Sequence, residues 1–199
     1  AQSAKGFAFD NFDMLANTWV QESGTFSVNN GRLLSNDITS SKTNIYMNLN
    51  QSQDSDYLYS WTQRFIGNSP NQRGGIHFMC SNPSLTNRGD SYFVYLREEN
   101  DKVQIYSVNN DVYTLQTNDD FTINNLEDYH VKVTFSSSTG WIRFFVNGLL
   151  AGECQDPSPL QSGNSVSFRT ANAEIEFDNF RVYKSRSNFV SIPTGTNGL

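Results

Sequence analysis

Three carboxylates at alternate positions are the residues of this sequence best spaced for acid–base chemistry. Glu174, Glu176 and Asp178 would project from one side of a strand, because side chains along a strand alternate between its two faces. Retaining glycoside hydrolysis uses two carboxyl groups about 5–5.5 Å apart, so such a string is a candidate catalytic set. It lies in the last strand-like segment, beside a break in the alternation after Asp178. We interpret it as structural, with catalysis as the alternative.

A second group consists of aromatic and arginine side chains on strand faces opposite the apolar ones. In segment 141–146, for example, Ile142 and Phe144 share one face while Trp141 and Arg143 share the other. Solvent faces of antiparallel sheets normally carry small polar or charged residues instead. The candidate ligand contacts are Trp141 and Tyr95 as aromatic platforms, with Arg64, His77, Arg97, Tyr106 and Arg143 as polar groups.

An aromatic face flanked by arginines suits a sugar. The C–H face of a pyranose ring packs on an aromatic ring, and its hydroxyls bond to arginine, asparagine, glutamine and histidine. On a curved sheet these residues would line a shallow groove. The alternative is that long loops such as 66–74 and 82–90 cover some of them, which would make them part of the interior.

Two aspartates occupy matching places in a repeated tetrapeptide. Phe-Asp-Asn-Phe occurs at 9–12 and again at 177–180, and in the second copy the alternation slips by one residue, which predicts a β-bulge. If the first and last strands pair, Asp10 and Asp178 approach each other and could bind Ca²⁺ through their oxygens. The alternative is that both carboxylates accept turn and backbone hydrogen bonds.

The remaining reactive groups are sparse. Cys80 and Cys154 lack metal-ligand spacing and the two histidines are far apart in sequence, so no zinc site is expected. In an exported protein the cysteines are predicted to form a disulfide, with two buried thiols as the alternative. Arg88-Gly89-Asp90 is an integrin-recognition tripeptide, which leaves protein adhesion open, although the segment also reads as a turn.

Composition limits the partners. The 199 residues carry a formal net charge of −6 with no basic cluster, which does not suit nucleic acid or an anionic membrane surface. No apolar run approaches the ~20 residues that cross a bilayer, so membrane insertion is not expected. An Asn- and Ser-rich chain that begins Ala-Gln-Ser rather than Met indicates an exported protein: secreted, periplasmic or on the cell surface.

The spacing of strand-like segments indicates an all-β fold. Such segments recur about every 8–12 residues along the chain, with turn residues between them and no amphipathic helix. Asn and Gly tolerate the positive φ of hairpin turns, which predicts turns at 29–31, 109–111, 138–140 and 147–148. We expect one β-sandwich domain over 1–184 and a linker or tail over 185–199, with further domains of a larger secreted protein possible beyond it.

Seven segments together resemble a known superfamily. They are Phe-Asp-Asn-Phe at 9–12, then Trp-Val at 19–20, 23–33, 74–78, 129–133, 146–148 and 176–183, and the likeness extends over residues 7–184. In this order they resemble the concanavalin A-like lectin/glucanase superfamily, and most of all the laminin-G-like jelly rolls of secreted bacterial polysaccharide-processing proteins. The resemblance implies a two-sheet antiparallel β-sandwich jelly roll with a concave carbohydrate-binding face and often a structural calcium.

The same resemblance weakens the catalytic interpretation. The glucanase branch of the superfamily carries a Glu nucleophile and a Glu acid/base with an Asp between them, whereas here the order is Glu174, Glu176, Asp178. We therefore predict a secreted module that binds a polysaccharide or oligosaccharide without cleaving it. A glycan hydrolase or lyase of the same fold and a protein-binding adhesion domain are the alternatives.

Overall fold

A computed structural model describes residues 7–185, which form two antiparallel β-sheets packed face to face. Sheet I has eight strands in the order β13-β12-β11-β6-β15-β4-β3, with β1 also paired to β15, and sheet II has seven in the order β10-β9-β8-β7-β14-β5-β2. The strands are β1 (Ala8–Asp10), β2 (Trp19–Ser23), β3 (Phe26–Asn29), β4 (Arg32–Asp37), β5 (Asn44–Ser52), β6 (Asp56–Phe65), β7 (Arg73–Cys80), β8 (Ser91–Arg97), β9 (Lys102–Asn109), β10 (Val112–Asp120), β11 (Tyr129–Ser136), β12 (Trp141–Val146), β13 (Leu149–Gln155), β14 (Ser162–Ala171) and β15 (Ala173–Lys184). The predicted all-β sandwich is confirmed.

Alternation along each strand builds the core between the sheets. On β11 the inward residues, from Tyr129 to Phe135, are buried, while His130 and Lys132 are exposed. On β12 the inward residues Ile142, Phe144 and Val146 are also buried. Burial of these apolar side chains provides the main stabilisation of the fold, at about 25 cal/mol for each Å² removed from water.

All four predicted hairpin turns are present. Asn30, Asn110 and Asn147 each adopt a positive φ of about 50°, and Gly140 has a φ of 75°. Asparagine and glycine enter this left-handed region at little cost, which explains why they occupy the turns.

The first and last strands pair, which is the condition set for Asp10 and Asp178 to approach each other. Asp10 on β1 lies opposite Phe180 on β15, and the register between β15 and β6 shifts between Asp178 and Arg181. Asn179 takes a φ of 52° at this point. The slip of alternation in the repeated tetrapeptide is therefore a β-bulge.

The predicted disulfide is wrong, because both cysteines are free. Cys80 ends β7 in sheet II, whereas Cys154 lies on β13 at the edge of sheet I. Burial raises the pKa of the Cys80 thiol to about 12. The predicted linker or tail over 185–199 lies outside the described residues except for Ser185. Within residues 7–185, no helix is long and apolar enough to cross a bilayer.

Candidate functional site

The seven predicted contact residues are divided between the two sheets. His77, Tyr95, Arg97 and Tyr106 lie on the outer face of sheet II, on β7, β8 and β9. Arg64, Trp141 and Arg143 lie on the outer face of sheet I, on β6 and β12. The expectation of one shared groove is therefore wrong, because alternation shows which side chains point away from the core but not which sheet carries them.

The more polar of the two sites is on sheet II, and we call it the arginine cleft. It is an open cleft of about 320 Å³ near the ends of β7, β8, β9 and β14. Its lining residues are Asn71, Arg73, Phe93, Tyr95, Arg97, Tyr106, Tyr113, Arg169 and Asn172. Three guanidinium groups and four aromatic rings thus surround one opening.

A ladder of stacked rings forms one side of the arginine cleft. His77, Phe93 and Tyr106 are cross-strand neighbours on β7, β8 and β9. The Phe93 ring stacks on His77 at 4.4 Å and on Tyr106 at 4.2 Å between centroids, with Tyr106 only 7° from parallel. Tyr113 meets the Tyr106 ring edge-on at 5.7 Å and is 52% exposed. The buried members of the ladder hold the outermost rings in place.

Arg169 reaches the rings across a glycine. Its Cα on β14 pairs with Gly75 on β7, and Gly75 pairs in turn with Tyr95 on β8. Because Gly75 has no side chain, the Arg169 guanidinium extends over the strand to 5.3 Å from the Phe93 ring centroid and 6.0 Å from that of Tyr95. A Cβ on Gly75 would lie 1.9 Å from the Val94 carbonyl oxygen, so only glycine fits there.

His77 is a positioning residue and not a ligand contact, which corrects the prediction. It is fully buried, and burial, with Arg88 and Arg169 nearby, keeps its pKa well below the usual range. Arg169 Nη1 lies 3.3 Å from His77 Nε2 and can only donate, so Nε2 accepts. The proton is then on Nδ1, which donates to Ser91 Oγ at 3.1 Å. A neutral ring thus orients the guanidinium.

Asn71 orients the other two arginines. With a φ of 63°, it accepts from Arg97 Nη2 through its side-chain oxygen at 2.6 Å and from Arg73 Nη1 through its carbonyl oxygen at 3.2 Å. Both arginines are half-buried, and their side chains line the arginine cleft together.

Two polar atoms at the arginine cleft are buried without a hydrogen-bond partner in the described part of the chain, Tyr95 Oη and Arg169 Nε. The residues are 3% and 5% exposed. Tyr95 is therefore not the open platform that its alternation predicted, and its hydroxyl rather than its ring is the group left over. Burial without a partner costs free energy, so such atoms are often completed by a ligand or water.

Six lining residues were not among the predicted contacts: Asn71, Arg73, Phe93, Tyr113, Arg169 and Asn172. Arg73 shares the alternation of His77 on β7, and Arg169 shares that of the outward-facing Ser167 on β14. Extending the alternation argument to segments 73–80 and 162–171 would have found both arginines. Tyr113 belongs to β10, which is exposed along nearly its whole length and gives no clear alternation.

The outer face of sheet I carries a more apolar depression, which we call the tryptophan groove. It measures about 440 Å³ and is lined by Asp56, Tyr57, Leu58, Thr134, Phe135, Ser136, Trp141, Arg143, Tyr183, Lys184 and Ser185. The Arg143 guanidinium lies 4.8 Å from the Trp141 ring centroid, and its Nε donates to Glu153 at 2.9 Å. Arg64 lies elsewhere on this face and donates to the Leu126 carbonyl oxygen at 2.8 and 3.1 Å.

The carboxylate string also lies on sheet I. Glu174, Glu176 and Asp178 share the outer face of β15, as predicted. Arg32 pairs with Asp128 through two hydrogen bonds of 2.7 and 2.9 Å, and its Nη1 lies 3.8 Å from Glu176. The string is thus part of an ion-paired surface on the sheet opposite the arginine cleft.

The residues proposed for calcium do not fit a cation site. Asp10 accepts from the Phe12 backbone N–H at 2.7 Å and from Trp19 Nε1 at 2.8 Å, which occupies both of its carboxylate oxygens. Asp178 accepts from the Asn179 backbone N–H and side chain. Within residues 7–185 no three His, Cys, Asp or Glu side chains are grouped to hold a metal ion.

The Arg-Gly-Asp tripeptide cannot present its arginine. Arg88 is fully buried and donates to Ser167 Oγ at 3.1 Å, to the Thr86 carbonyl oxygen at 2.6 Å and to that of Thr43 at 2.7 Å. It holds the 82–90 loop against β14. Adhesion through this tripeptide is therefore excluded.

Solved structures show the same fold at low sequence identity. The carbohydrate-binding module CBM66 from Bacillus subtilis superposes with a TM-score of 0.71 at 15% identity, covering 85% of this chain and 99% of that one. A Bacillus subtilis protein with a galectin-like fold gives 0.69 at 16%, covering 90% and 96%. The galectin LEC-6 from Caenorhabditis elegans gives 0.54 at 13%, covering 72% and 93%.

The fold is a concanavalin A-like, galectin-like jelly roll. This confirms the fold implied by the sequence resemblance. A scan of protein-family models and a search of curated proteins return no match. Because one fold hosts many functions, the function has to be argued from the arginine cleft and the tryptophan groove themselves.

Proposed function

We propose that this chain is a carbohydrate-binding domain whose site is the arginine cleft. The observation that carries the proposal is the ring ladder ending in Tyr106 and Tyr113 beside three arginines. Two proteins that share the fold are a carbohydrate-binding module and a galectin by name, which supports the same class of function.

The groups of the arginine cleft match the two surfaces of a sugar ring. The exposed ring of Tyr113 and the half-buried ring of Tyr106 offer apolar faces for sugar C–H groups. Asparagine and arginine side chains around them supply donors for hydroxyl oxygens. Since Phe93 already backs Tyr106, the rings need no rearrangement on binding, which keeps the entropic cost low.

The polymer, its location and the lack of cleavage are part of the same proposal. A cleft open to solvent suits an internal stretch or an end of a polysaccharide, which the protein would meet in the periplasm, at the cell surface or outside the cell. None of the described residues that line the cleft is Asp or Glu, so the cleft offers no carboxyl pair for hydrolysis. Fractionation of the source cells followed by immunodetection tests the location.

A pair of matched substitutions tests the site. We expect Tyr113→Ala to weaken retardation of the protein in polysaccharide-containing gels about 3- to 10-fold, the usual contribution of an aromatic contact. Trp141→Ala in the tryptophan groove removes an aromatic residue of the other sheet and should leave the retardation unchanged. The reverse pattern would move the site to sheet I, and no retardation by any polysaccharide of a broad panel would overturn the proposal.

A further inference from the structure

The arginine cleft contains two positive charges, those of Arg73 and Arg169, that no carboxylate among the described residues balances. Arg73, Arg97 and Arg169 line it, and none of its described lining residues is acidic. Among residues 7–185, no ion pair joins Arg73 or Arg169 to a carboxylate. A concentration of one sign of charge in a concave site raises the local concentration of ligands of the opposite sign.

Arg169 is the most unusual of the three because it is buried. Its Nη1 donates to the Asn87 side-chain oxygen at 2.8 Å and its Nη2 to the Ser41 carbonyl oxygen at 3.3 Å, both neutral acceptors. A second buried guanidinium, that of Arg88, lies near enough for the two to repel, and burial followed by this repulsion lowers the pKa of Arg88 to about 9. Burying a charge without an opposite charge costs free energy, and an anion at the cleft would reduce that cost.

Two hydrogen-bond donors near the cleft have no acceptor within the described residues. Arg169 Nε and Tyr95 Oη are both buried and both lack a hydrogen-bond partner in the described part of the chain, and they belong to two residues that line the cleft. A carboxylate or sulfate has two or three acceptor oxygens, whereas a sugar hydroxyl has one. Bonds from an N–H or O–H to an ionised acceptor are about twice as strong as those to a neutral one.

We propose that the arginine cleft binds an acidic sugar, with the carboxylate or sulfate group accepting from Arg169 Nε and Tyr95 Oη while Arg73 balances its charge. This rests on the proposed carbohydrate function and names the class of sugar. The sugar ring itself packs toward Tyr106 and Tyr113. Uronic acids and sulfate esters share this chemistry, and the experiment separates them.

Calorimetry with two pairs of oligosaccharides tests the charge requirement. The first pair is oligogalacturonate and its methyl ester, and the second is a carrageenan oligosaccharide and its desulfated form. We expect the anionic member of at least one pair to bind about 10- to 100-fold more tightly than its neutral match, because a hydrogen bond to a charged group is lost in the neutral one. The pair that shows the difference identifies the anion, and its binding should weaken as salt is raised.

Two variants test the residues. Arg73→Gln should weaken binding of the anionic probe about tenfold, whereas Arg143→Gln, the same change on sheet I, should not. Tyr95→Phe is the sharper test, because the hydroxyl has no partner in the free protein. Removal of this hydroxyl should leave the melting temperature unchanged or raise it, and should weaken the affinity for the anionic probe several-fold. A hydroxyl with only a structural role would lower the melting temperature and leave affinity unchanged.

The outcomes separate this inference from the function beneath it. Equal affinity for anionic and neutral probes, reduced by Tyr113→Ala, would overturn the acidic-sugar inference and keep the carbohydrate function. Free galacturonate or inorganic sulfate binding as tightly as the oligosaccharides would reduce the cleft to a simple anion site and overturn it too. Absence of binding by all four probes would overturn the acidic sugar, and the broad polysaccharide panel then decides the function.

Discussion

The outer faces of the two sheets use arginine in opposite ways. On sheet I, Arg32 and Arg143 are paired with Asp128 and Glu153 at 2.7 and 2.9 Å. On sheet II, Arg169 is held by an asparagine, a backbone carbonyl oxygen and a neutral histidine. Paired arginines make a surface that needs nothing further, whereas arginines held in place by neutral groups keep their charge available. A binding face is therefore indicated by the partners of its arginines and not by their presence alone.

The outward side chains of the two sheets also differ in how far they are buried. Sheet II has a small second apolar cluster outside the main core, formed by Phe93, Tyr95 and Val108 with Tyr106 against it. The 82–90 loop is held against the same sheet by Arg88, which bonds to Ser167 on β14 and to Thr43. Sheet I shows its outward side chains to solvent, as His130 and Lys132 do. Side chains on sheet II are therefore fixed before a ligand arrives, which is the condition for tight binding at low entropic cost.

The largest effect on stability should come from removing Arg88. Arg88→Met leaves the Thr43 carbonyl oxygen and Ser167 Oγ without this donor in a buried site, and each unsatisfied group costs about 1–3 kcal/mol. We expect the free energy of unfolding, measured by urea denaturation, to fall by about 3 kcal/mol. Arg143→Met on sheet I is the control and should change it by less than about 1 kcal/mol, as for other surface ion pairs. Similar losses for both would show that the two faces do not differ in this way.

The two histidines offer a comparison by pH. His77 is neutral in the folded protein because its pKa is far below the ordinary value of 6.5, whereas the unfolded chain binds a proton there as the pH falls below that value. Below that pH the unfolded state binds a proton that the folded state does not. The contribution of His77 to the free energy of unfolding is therefore fully present above about pH 6.5 and is lost progressively below it. One proton corresponds to about 1.4 kcal/mol per pH unit.

The measurement is a series of urea titrations between neutral and mildly acidic pH. His77→Gln should flatten the decrease, since glutamine keeps an acceptor for Arg169 but does not titrate. His130→Gln on sheet I is the matched control and should keep the decrease. If the decrease in unfolding free energy disappeared in the His130 variant and not in the His77 variant, the group responsible would lie on sheet I and the assignment to His77 would be wrong.

Alternation and turn chemistry were enough to predict the fold and the outward side chains. The apolar alternation of β11 and β12, the asparagines at positive φ and the bulge after Asp178 were all read from neighbouring residues. Assigning those side chains to a face needed pairings between distant segments. Arg169 and His77 bond across 92 residues, and the 82–90 loop is fixed by bonds from Arg88 to Thr43, just before β5, and to Ser167 on β14. Local patterns do not carry that information, which is why Trp141 and Tyr95 were expected together.

The smallest effect belongs to the carboxylate string. Arg32 is held mainly by Asp128, so Glu176→Gln removes only a long ion pair of 3.8 Å between two partly buried side chains. We expect a change of less than about 1 kcal/mol in the free energy of unfolding, because Arg32 keeps both of its hydrogen bonds to Asp128 and glutamine keeps an acceptor oxygen. Affinity for an oligosaccharide should not change, since Glu176 and the arginine cleft lie on opposite sheets. Reducing-end assays on the unmodified protein and on this variant provide the contrary test. If the unmodified protein released sugar and the Glu176→Gln variant did not, sheet I would be the functional face and the carboxylate string would be catalytic. Only a residue that takes part in hydrolysis would abolish cleavage on substitution without changing stability.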